Sequence, residues 1–323
     1  MFFRKVSLVL ALCMMVTLLA GCGNTASDNG DGASELAEVI GDTGETEEVD
    51  GDIVFDVPYL DDGNERHVLD LFGTQEATDK TPGVIEVHGG GYIGGSKSIN
   101  TEHAAFYRDN GFVVAAPEYT LVKEGKTFKD AIQDLFAAYH FIEEHADEYH
   151  FDLDNMFLSG DSAGGYYVLL TAAILQSEEL QAYFEVEPLG FEFKGIVTTC
   201  PGTDILAIKD NLGADGVNGF VANSIGEEIL NDEDLMSHLD LYSIIDPATY
   251  PYIYIVTTPD DETTGEETLK FDAFLTENGI AHELHGYESE GSPMKHVFNI
   301  ISMDWPESIK ANNDIVAYMK SLL

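Results

Sequence analysis

From residue 52 onward the apolar positions follow two rhythms. Short runs that read as strands are Ile53–Val57, Val68–Phe72, Gly83–Val87, Phe112–Ala116, Met156–Leu158, Gly195–Thr199, Tyr252–Thr257 and Ala281–Gly286. Several are continuous and rich in Val and Ile, as strands covered on both faces are. Between them runs a period near 3.6. Lys129–His145 carries Ile132, Leu135, Phe136, Tyr139 and Ile142 on one stripe, Gly164–Leu175 forms a second helical stretch, and Pro306–Leu323 carries Ile309, Ile315, Val316, Met319 and Leu322. Alternation of the two rhythms predicts an α/β domain, with a mostly parallel sheet and helices on both faces. No internal repeat is visible. The stretch Pro201–Asp246 breaks the alternation. It is polar, interrupted by glycine and only weakly helical around Gly226–Leu241. It is long for a connection inside a compact unit, so residues 201–246 read as a cap inserted over a site, with a disordered surface loop as the alternative.

The first 51 residues follow neither rhythm. Arg4 and Lys5 precede an apolar run, Val6–Ala20, which is too short to span a bilayer comfortably and ends in Leu19-Ala20-Gly21-Cys22. Residues 1–22 therefore read as a signal peptide resembling the lipobox of bacterial lipoproteins, in which Cys22 is lipidated and becomes the mature N-terminus. An ordinary signal peptide with an incidental cysteine is the plainer alternative. An acyl anchor would place the protein outside the cytoplasm, on the membrane of a bacterial cell envelope. Residues 23–51 are rich in Gly, Ser, Thr, Asp and Glu and contain no Lys, Arg or aromatic residue. Such a segment cannot bury enough apolar surface to offset its own ordering, and it reads as an acidic tether. The domain proper is 52–323.

Charge and cysteine content remove several classes of function. The chain of 323 residues has a formal net charge of −44, which repels a phosphate backbone and an anionic membrane surface. No nucleic-acid partner is expected, and the membrane is reached only through the lipid anchor. Cys13 lies in the signal and Cys22 in the lipobox, so Cys200 is the domain's one cysteine. It builds no disulfide framework, and its place at the end of an apolar run makes it a buried small hydrophobe. No His, Cys, Asp or Glu spacing suggests a metal, and the acidic runs lack an EF-hand pattern. No cofactor is called for.

Two glycine-rich stretches carry the candidate chemistry. In Leu158–Tyr167 the centre is Gly160-Asp161-Ser162-Ala163-Gly164, between a short strand and a helical run. A nucleophile in a sharp strand-to-helix turn adopts a strained backbone, so the residues two away must lack a bulky Cβ. The turn lifts the Ser162 hydroxyl beside a helix N-terminus, where N–H groups favour developing negative charge. The second stretch is His88-Gly89-Gly90-Gly91-Tyr92, after the strand Gly83–Val87. Its glycines let backbone N–H groups approach a bound group, as the oxyanion of acyl transfer requires. A phosphate cradle would want a Lys or a Gly-x-Gly-x-x-Gly at a helix start, and neither is convincing here.

With these motifs in this order the chain resembles the hormone-sensitive-lipase-like branch of the α/β-hydrolase carboxylesterases. HGGGYIGGS is similar to that family's oxyanion motif and GDSAGG to its nucleophile motif. Tyr119-Thr120-Leu121 stands where members usually have Tyr-Arg-Leu, followed by a helix with an Asp like Asp134. The similarity covers about residues 52–323. It implies an α/β-hydrolase fold and a Ser-His-Asp triad with Ser162 as nucleophile. The acid should follow the strand Tyr252–Thr257, a few residues on, usually as Gly-x-x-Asp. Here Thr257 takes the glycine position, Asp260 stands at the usual distance, and Asp261 is the next candidate. The base should lie after the last strand, commonly as His-Gly-Phe, and His296-Val297-Phe298 fits with Val in place of Gly. His88 would be structural. His140, His145 and His150 read as surface residues, and His282 and His285 fall in the final strand. The N–H groups of Gly89, Gly90 and Ala163 are the expected oxyanion donors, with Gly91 as a further one.

The expected activity is hydrolysis of small carboxylic esters, most simply short acyl esters, through an acyl-enzyme. Three alternatives stay open. A deacetylase of acetylated glycans and an exopeptidase would use the same triad. A hydrolase-fold protein that binds without turnover is favoured only by the weak context of Asp260. Substrate identity and oligomeric state are not written in the motifs.

Overall fold

The computed structural model describes residues 51–123, 125–289 and 294–323. The signal peptide, Cys22 and nearly all of the tether lie outside them. Eight strands form one sheet: β1 (Ile53–Pro58), β2 (Val68–Phe72), β3 (Thr81–Val87), β4 (Val113–Pro117), β5 (Phe151–Asp161), β6 (Phe193–Thr199), β7 (Ile253–Thr257) and β8 (His282–Gly286). Their order is β1-β2-β4-β3-β5-β6-β7-β8. The β1–β2 and β2–β4 pairs are antiparallel, and every pair from β4 to β8 is parallel. Every residue of β4 and β7 is buried, which explains their continuous apolar runs. The edge strands β1 and β8 alternate or stay partly exposed.

The two-residue period of the strands divides the core. Ile85, Leu158 and Ile196 point to one face, where the helices Phe128–Glu144 and Ser162–Leu175 pack. Val84, Phe157 and Val197 point to the other, against Thr101–Asp109 and Pro306–Ser321. Phe128–Glu144 starts where it does because of a capping box. The Thr127 hydroxyl accepts from Lys129 N–H at 3.2 Å, and the Asp130 carboxylate accepts from Thr127 N–H at 2.8 Å. The helices Thr101–Asp109 and Gly265–Glu277 were not anticipated by periodicity.

The segment 201–246 is folded, which removes the disordered-loop alternative. It contains a 3-10 turn at Ile205–Asn211 and helices Gly216–Ile225, Glu227–Leu230, Glu233–Leu239 and Leu241–Ile244. Three aspartates supply N-caps: Asp204 to Ala207 N–H, Asp232 to Leu235 N–H and Asp240 to Tyr242 N–H. Leu230, Leu239 and Leu241 are buried. Tyr166, on the helix after β5, donates to the Leu239 carbonyl at 2.6 Å and so ties the insertion to the body. Among the described residues, no helix is long and apolar enough to cross a membrane.

Candidate active site

Strand β5 ends at Asp161 and the next residue already opens the helix Ser162–Leu175. No loop residue absorbs the reversal, so Ser162 takes it with φ +50°. A non-glycine residue there stores strain of order 1–3 kcal/mol, which the surrounding packing must hold. Gly160 and Gly164 are required by contact. A Cβ on Gly160 would stand 2.7 Å from the Gly164 carbonyl group, and one on Gly164 only 2.1 Å from the Val87 oxygen. That close approach of β3 and the helix brings the glycine-rich loop after β3 beside the Ser162 hydroxyl.

His296 reaches Ser162 from the segment after β8. Its Nε2 lies 2.8 Å from Ser162 Oγ. Its Nδ1 lies 3.1 and 3.0 Å from the two carboxylate oxygens of Asp261. A carboxylate only accepts, so Nδ1–H donates to Asp261, and Nε2 is left to accept from the serine hydroxyl. Asp261 is buried and also accepts from the N–H groups of Thr263 at 2.9 Å and Thr264 at 3.1 Å. Burial pushes its carboxyl up, but the hydrogen bond and charge of His296 and the two N–H donors outweigh it, leaving it at about 2.

The expectation for the acid is corrected by one residue: Asp261, and not Asp260, faces His296. The turn after β7 is closed by Asp261 N–H donating to the Thr258 carbonyl at 3.1 Å. That puts Pro259 and Asp260 on the exposed corner and makes Asp261 the first residue to point back inward. The Asp260 carboxylate instead accepts from Met294 N–H at 3.2 Å. An acid does reach His296, so the weak context of Asp260 no longer favours binding without turnover.

The oxyanion donors need a correction as well. Gly89 N–H donates to the Asp161 carboxylate at 3.0 Å and is not free for a ligand. Among the described residues, the N–H groups of Gly90, Gly91 and Ala163 find no internal acceptor. Gly90 has φ +125° and Gly91 φ +59°, conformations that glycine adopts cheaply. Gly91 and Ala163 line the same cleft as Ser162.

The loop is held from behind by the first residue of its motif, His88, and by residues outside the motif. His88 is fully buried, with its ring nitrogens 2.7 Å from the Gly89 oxygen and 2.9 Å from Glu118 Oε1, and its ring stacks on Tyr119. The Tyr119 hydroxyl donates to the His88 carbonyl at 2.7 Å. Arg66 pairs with Glu118 and donates to the Tyr119 and Gly95 carbonyls, supplying a guanidinium beside Thr120 from a distant loop. Asp134 accepts from Thr120 N–H at 2.9 Å. Asp161 also accepts from Asn100 Nδ2 at 2.8 Å, and burial raises its carboxyl. Arg66 and Asn100 carry no local sequence signal, because only the sheet brings them near the motif.

Cys200 is fully buried, and its thiol lies with ligand atoms of Asp261 and His296 in a group whose members are within 4.8 Å of one another. A metal there would compete with the Asp261–His296 hydrogen bond. Burial also pushes the thiol well up, so the thiolate a metal needs is disfavoured. The donor set does not fit a metal centre.

The cleft above Ser162 offers about 630 Å³ of atom-free space, open solvent at its mouth included. One wall comes from the insertion, with Ile208, Asn211, Val217, Asn218 and Val221. Gly202, near the start of that segment, and Thr263, Thr264 and Glu267, beyond it, add to the lining. A hydroxyl with a hydrogen-bonded base, an acid behind that base and free N–H donors can together perform nucleophilic acyl transfer.

Comparison with known proteins finds similarity to chains named as esterases. A family model described as BD-FAE matches residues 69–273. A rice protein (Oryza sativa subsp. japonica) named "probable isoprenylcysteine alpha-carbonyl methylesterase" is 26% identical over 246 residues, which cover 70% of this chain and 54% of that protein. The chain thus spans about half the length of the curated relatives it matches first. The crystal structure of esterase B from Lactobacillus rhamnosis superposes with a TM-score of 0.79 at 24% identity, covering 92% of this chain and 96% of that one. The same esterase inhibited with a C4-C4 tributyrin phosphonate gives 0.77 at 24% identity, covering 90% and 91%. The fold is that of the α/β-hydrolases.

Proposed function

The chain belongs to the BD-FAE family, and from that membership we propose that it is a serine hydrolase cleaving small carboxylic esters, with short acyl chains preferred. The observation that carries this reading is the Ser162–His296–Asp261 hydrogen-bonded chain, opening on the same cleft as unpaired N–H groups. His296 Nε2 takes the proton as Ser162 Oγ attacks the ester carbonyl. Asp261 holds the ring in the required tautomer and favours the imidazolium that forms. The N–H groups of Gly90, Gly91 and Ala163 receive the oxyanion. The imidazolium then protonates the departing alcohol, and water releases the acyl group by the same steps. The C4-C4 tributyrin phosphonate that inhibits esterase B supports short acyl chains. A fluorophosphonate probe tests the reading: it should label Ser162 in the parent and leave Ser162→Ala unlabelled. A parent that stays unlabelled and hydrolyses no p-nitrophenyl ester from acetate to octanoate would overturn it.

The same proposal includes the protein's place in the cell. Arg4, Lys5, the run Val6–Ala20 and the lipobox around Cys22 support a lipid-anchored protein on the outer side of a bacterial membrane. Cys22→Ser should move the protein out of the membrane fraction or block its processing. A mature N-terminus mapped elsewhere by mass spectrometry would contradict the anchor.

A further inference from the structure

One carboxylate in the cleft has no part in the chemistry above. Glu267 stands in the first turn of the helix Gly265–Glu277, two turns of chain beyond Asp261, and lines the cleft with Ser162. Its Oε2 is occupied, accepting from Asp204 N–H at 3.1 Å. Its Oε1 receives no hydrogen bond from any described residue. Ile208, Val217 and Val221 line the same cleft together with Asn211 and Asn218, so the open acceptor shares it with apolar and amide side chains.

The surroundings decide what that acceptor can take. Facing Glu267 are the carboxylates of Asp204 and Asp261, the Lys270 ammonium, and the phenols of Tyr92 and Tyr242. Lys270 is already paired with Asp204 and lies over the Tyr242 ring. Tyr92 donates its hydroxyl proton to the Gly202 carbonyl at 3.1 Å, and Tyr242 lies 3.2 Å from the Thr203 hydroxyl. None of these groups donates to Oε1, and another carboxylate entering the cleft would be repelled. Burial, reinforced by Asp204 and Asp261, pushes the Glu267 carboxyl up to about 7. A donor from the substrate would satisfy both the geometry and the charge.

Resting on the esterase reading, we propose that Glu267 determines specificity: its Oε1 accepts a hydrogen bond from a hydroxyl or ammonium group carried by the part of the ester lodged in the cleft. Esters bearing such a donor are the preferred substrates, and those bearing a carboxylate are rejected. A site built to bond a substrate hydroxyl discriminates strongly against the analogue that lacks it, because its own polar group is then left unpaired. The open mouth of this cleft lets water compete, so the effect here is about tenfold.

Isosteric esters test this directly. With the donor on the acyl side, the set is methyl butanoate, methyl 3-hydroxypropanoate, methyl 3-aminopropanoate and monomethyl succinate. With the donor on the alcohol side, the pair is propyl acetate and 2-hydroxyethyl acetate. The readout is the ratio of kcat/KM between donor and alkyl esters, taken within each variant so that a general loss of activity cancels. The parent should favour the donor esters by about tenfold on one side of the ester bond. Glu267→Leu should abolish that ratio. Glu267→Gln should keep the hydroxyl preference and lose the ammonium preference, which separates the two donors. In the parent the ammonium preference should grow as pH rises through about 7, where Glu267 ionises, while the hydroxyl preference changes little. Unchanged ratios in Glu267→Leu on both sides would overturn the proposal. If the parent hydrolyses none of these esters, stays unlabelled by the fluorophosphonate probe and hydrolyses no p-nitrophenyl ester, the esterase reading falls instead. Glu267 is then judged by NMR binding of methyl 3-aminopropanoate to Ser162→Ala with and without Glu267→Leu: weaker binding without the carboxylate supports the proposal, and equal binding overturns it.

Discussion

The elbow and the inserted segment face each other across one cleft and are built on opposite terms. At the elbow, Gly164 has no room for a Cβ against Val87, Ser162 is held at positive φ, and buried Asp161 ties the turn to Gly89 and Asn100. The insertion 201–246 consists of a 3-10 turn and four helices of four to ten residues, with aspartate caps on three of the five and buried apolar residues that join the core of the body. Helices that short hold only through packing against the body. The reacting atoms sit on the over-determined side, and much of the rest of the cleft's lining comes from the short helices and turn of the insertion. Changes at the elbow should therefore alter rate, and changes in the insertion should alter preference.

The largest break in that contrast is Ser162→Ala. It should cut ester turnover by roughly 10⁶-fold, leaving only what binding and the oxyanion donors supply. Its circular dichroism should match the parent's, since the change removes one oxygen and relieves no buried charge.

A smaller effect comes from the acid limb of stability. Folding depresses the Asp261 carboxyl to about 2, below its ordinary value near 4. A depressed carboxyl contributes stability that is full above the unfolded value and is lost as pH falls through the folded one. The contribution is roughly 2 kcal/mol, lost mostly between about pH 4 and pH 2. Urea unfolding across that window should show a steeper decline for the parent than for Asp261→Asn. Parallel curves would mean that the native contacts do not hold this carboxylate ionised.

The smallest effect belongs to the insertion. Val221 lines the cleft, and a Cβ on Gly91 would stand 2.9 Å from one of its methyls. Val221→Ala should leave kcat on p-nitrophenyl acetate within about threefold. It should move the preferred acyl chain up by one or two carbons, since each added methylene is worth about 0.8 kcal/mol of burial. A loss on acetate as large as that of an elbow variant would erase the division between rate and preference.

How much of this was legible in the chain depended on how local the cause was. All eight strands announced themselves, the inner parallel ones most plainly, because continuous apolar runs have few other uses in a buried parallel sheet. The elbow was legible because steric contact two residues either side of Ser162 demands glycine. The acid was not, because Asp260, Asp261 and Glu262 are adjacent and a single hydrogen bond to Thr258 decides which one turns inward. Gly89 looked equivalent to Gly90 until Asp161, 72 residues away, took its N–H. The insertion's helices are shorter than the window in which a 3.6 period becomes visible. Glu267 sits in an ordinary acidic first turn, and its meaning comes from Gly202 and Asp204, which only the fold sets beside it.

The central claim is that Ser162, His296 and Asp261 act as one unit, and the neighbouring aspartates offer its sharpest test. The kcat of Asp261→Asn and Asp260→Asn should be measured side by side on p-nitrophenyl butyrate. Removing the carboxylate that orients the base costs roughly 10⁴-fold in a Ser-His-Asp protease, and Asp261→Asn should lose a comparable factor. Asp260→Asn should stay within about tenfold of the parent, because its carboxylate is exposed and accepts from Met294 N–H rather than from His296. A crippled Asp260→Asn beside a near-normal Asp261→Asn, or two near-normal variants, would contradict the account.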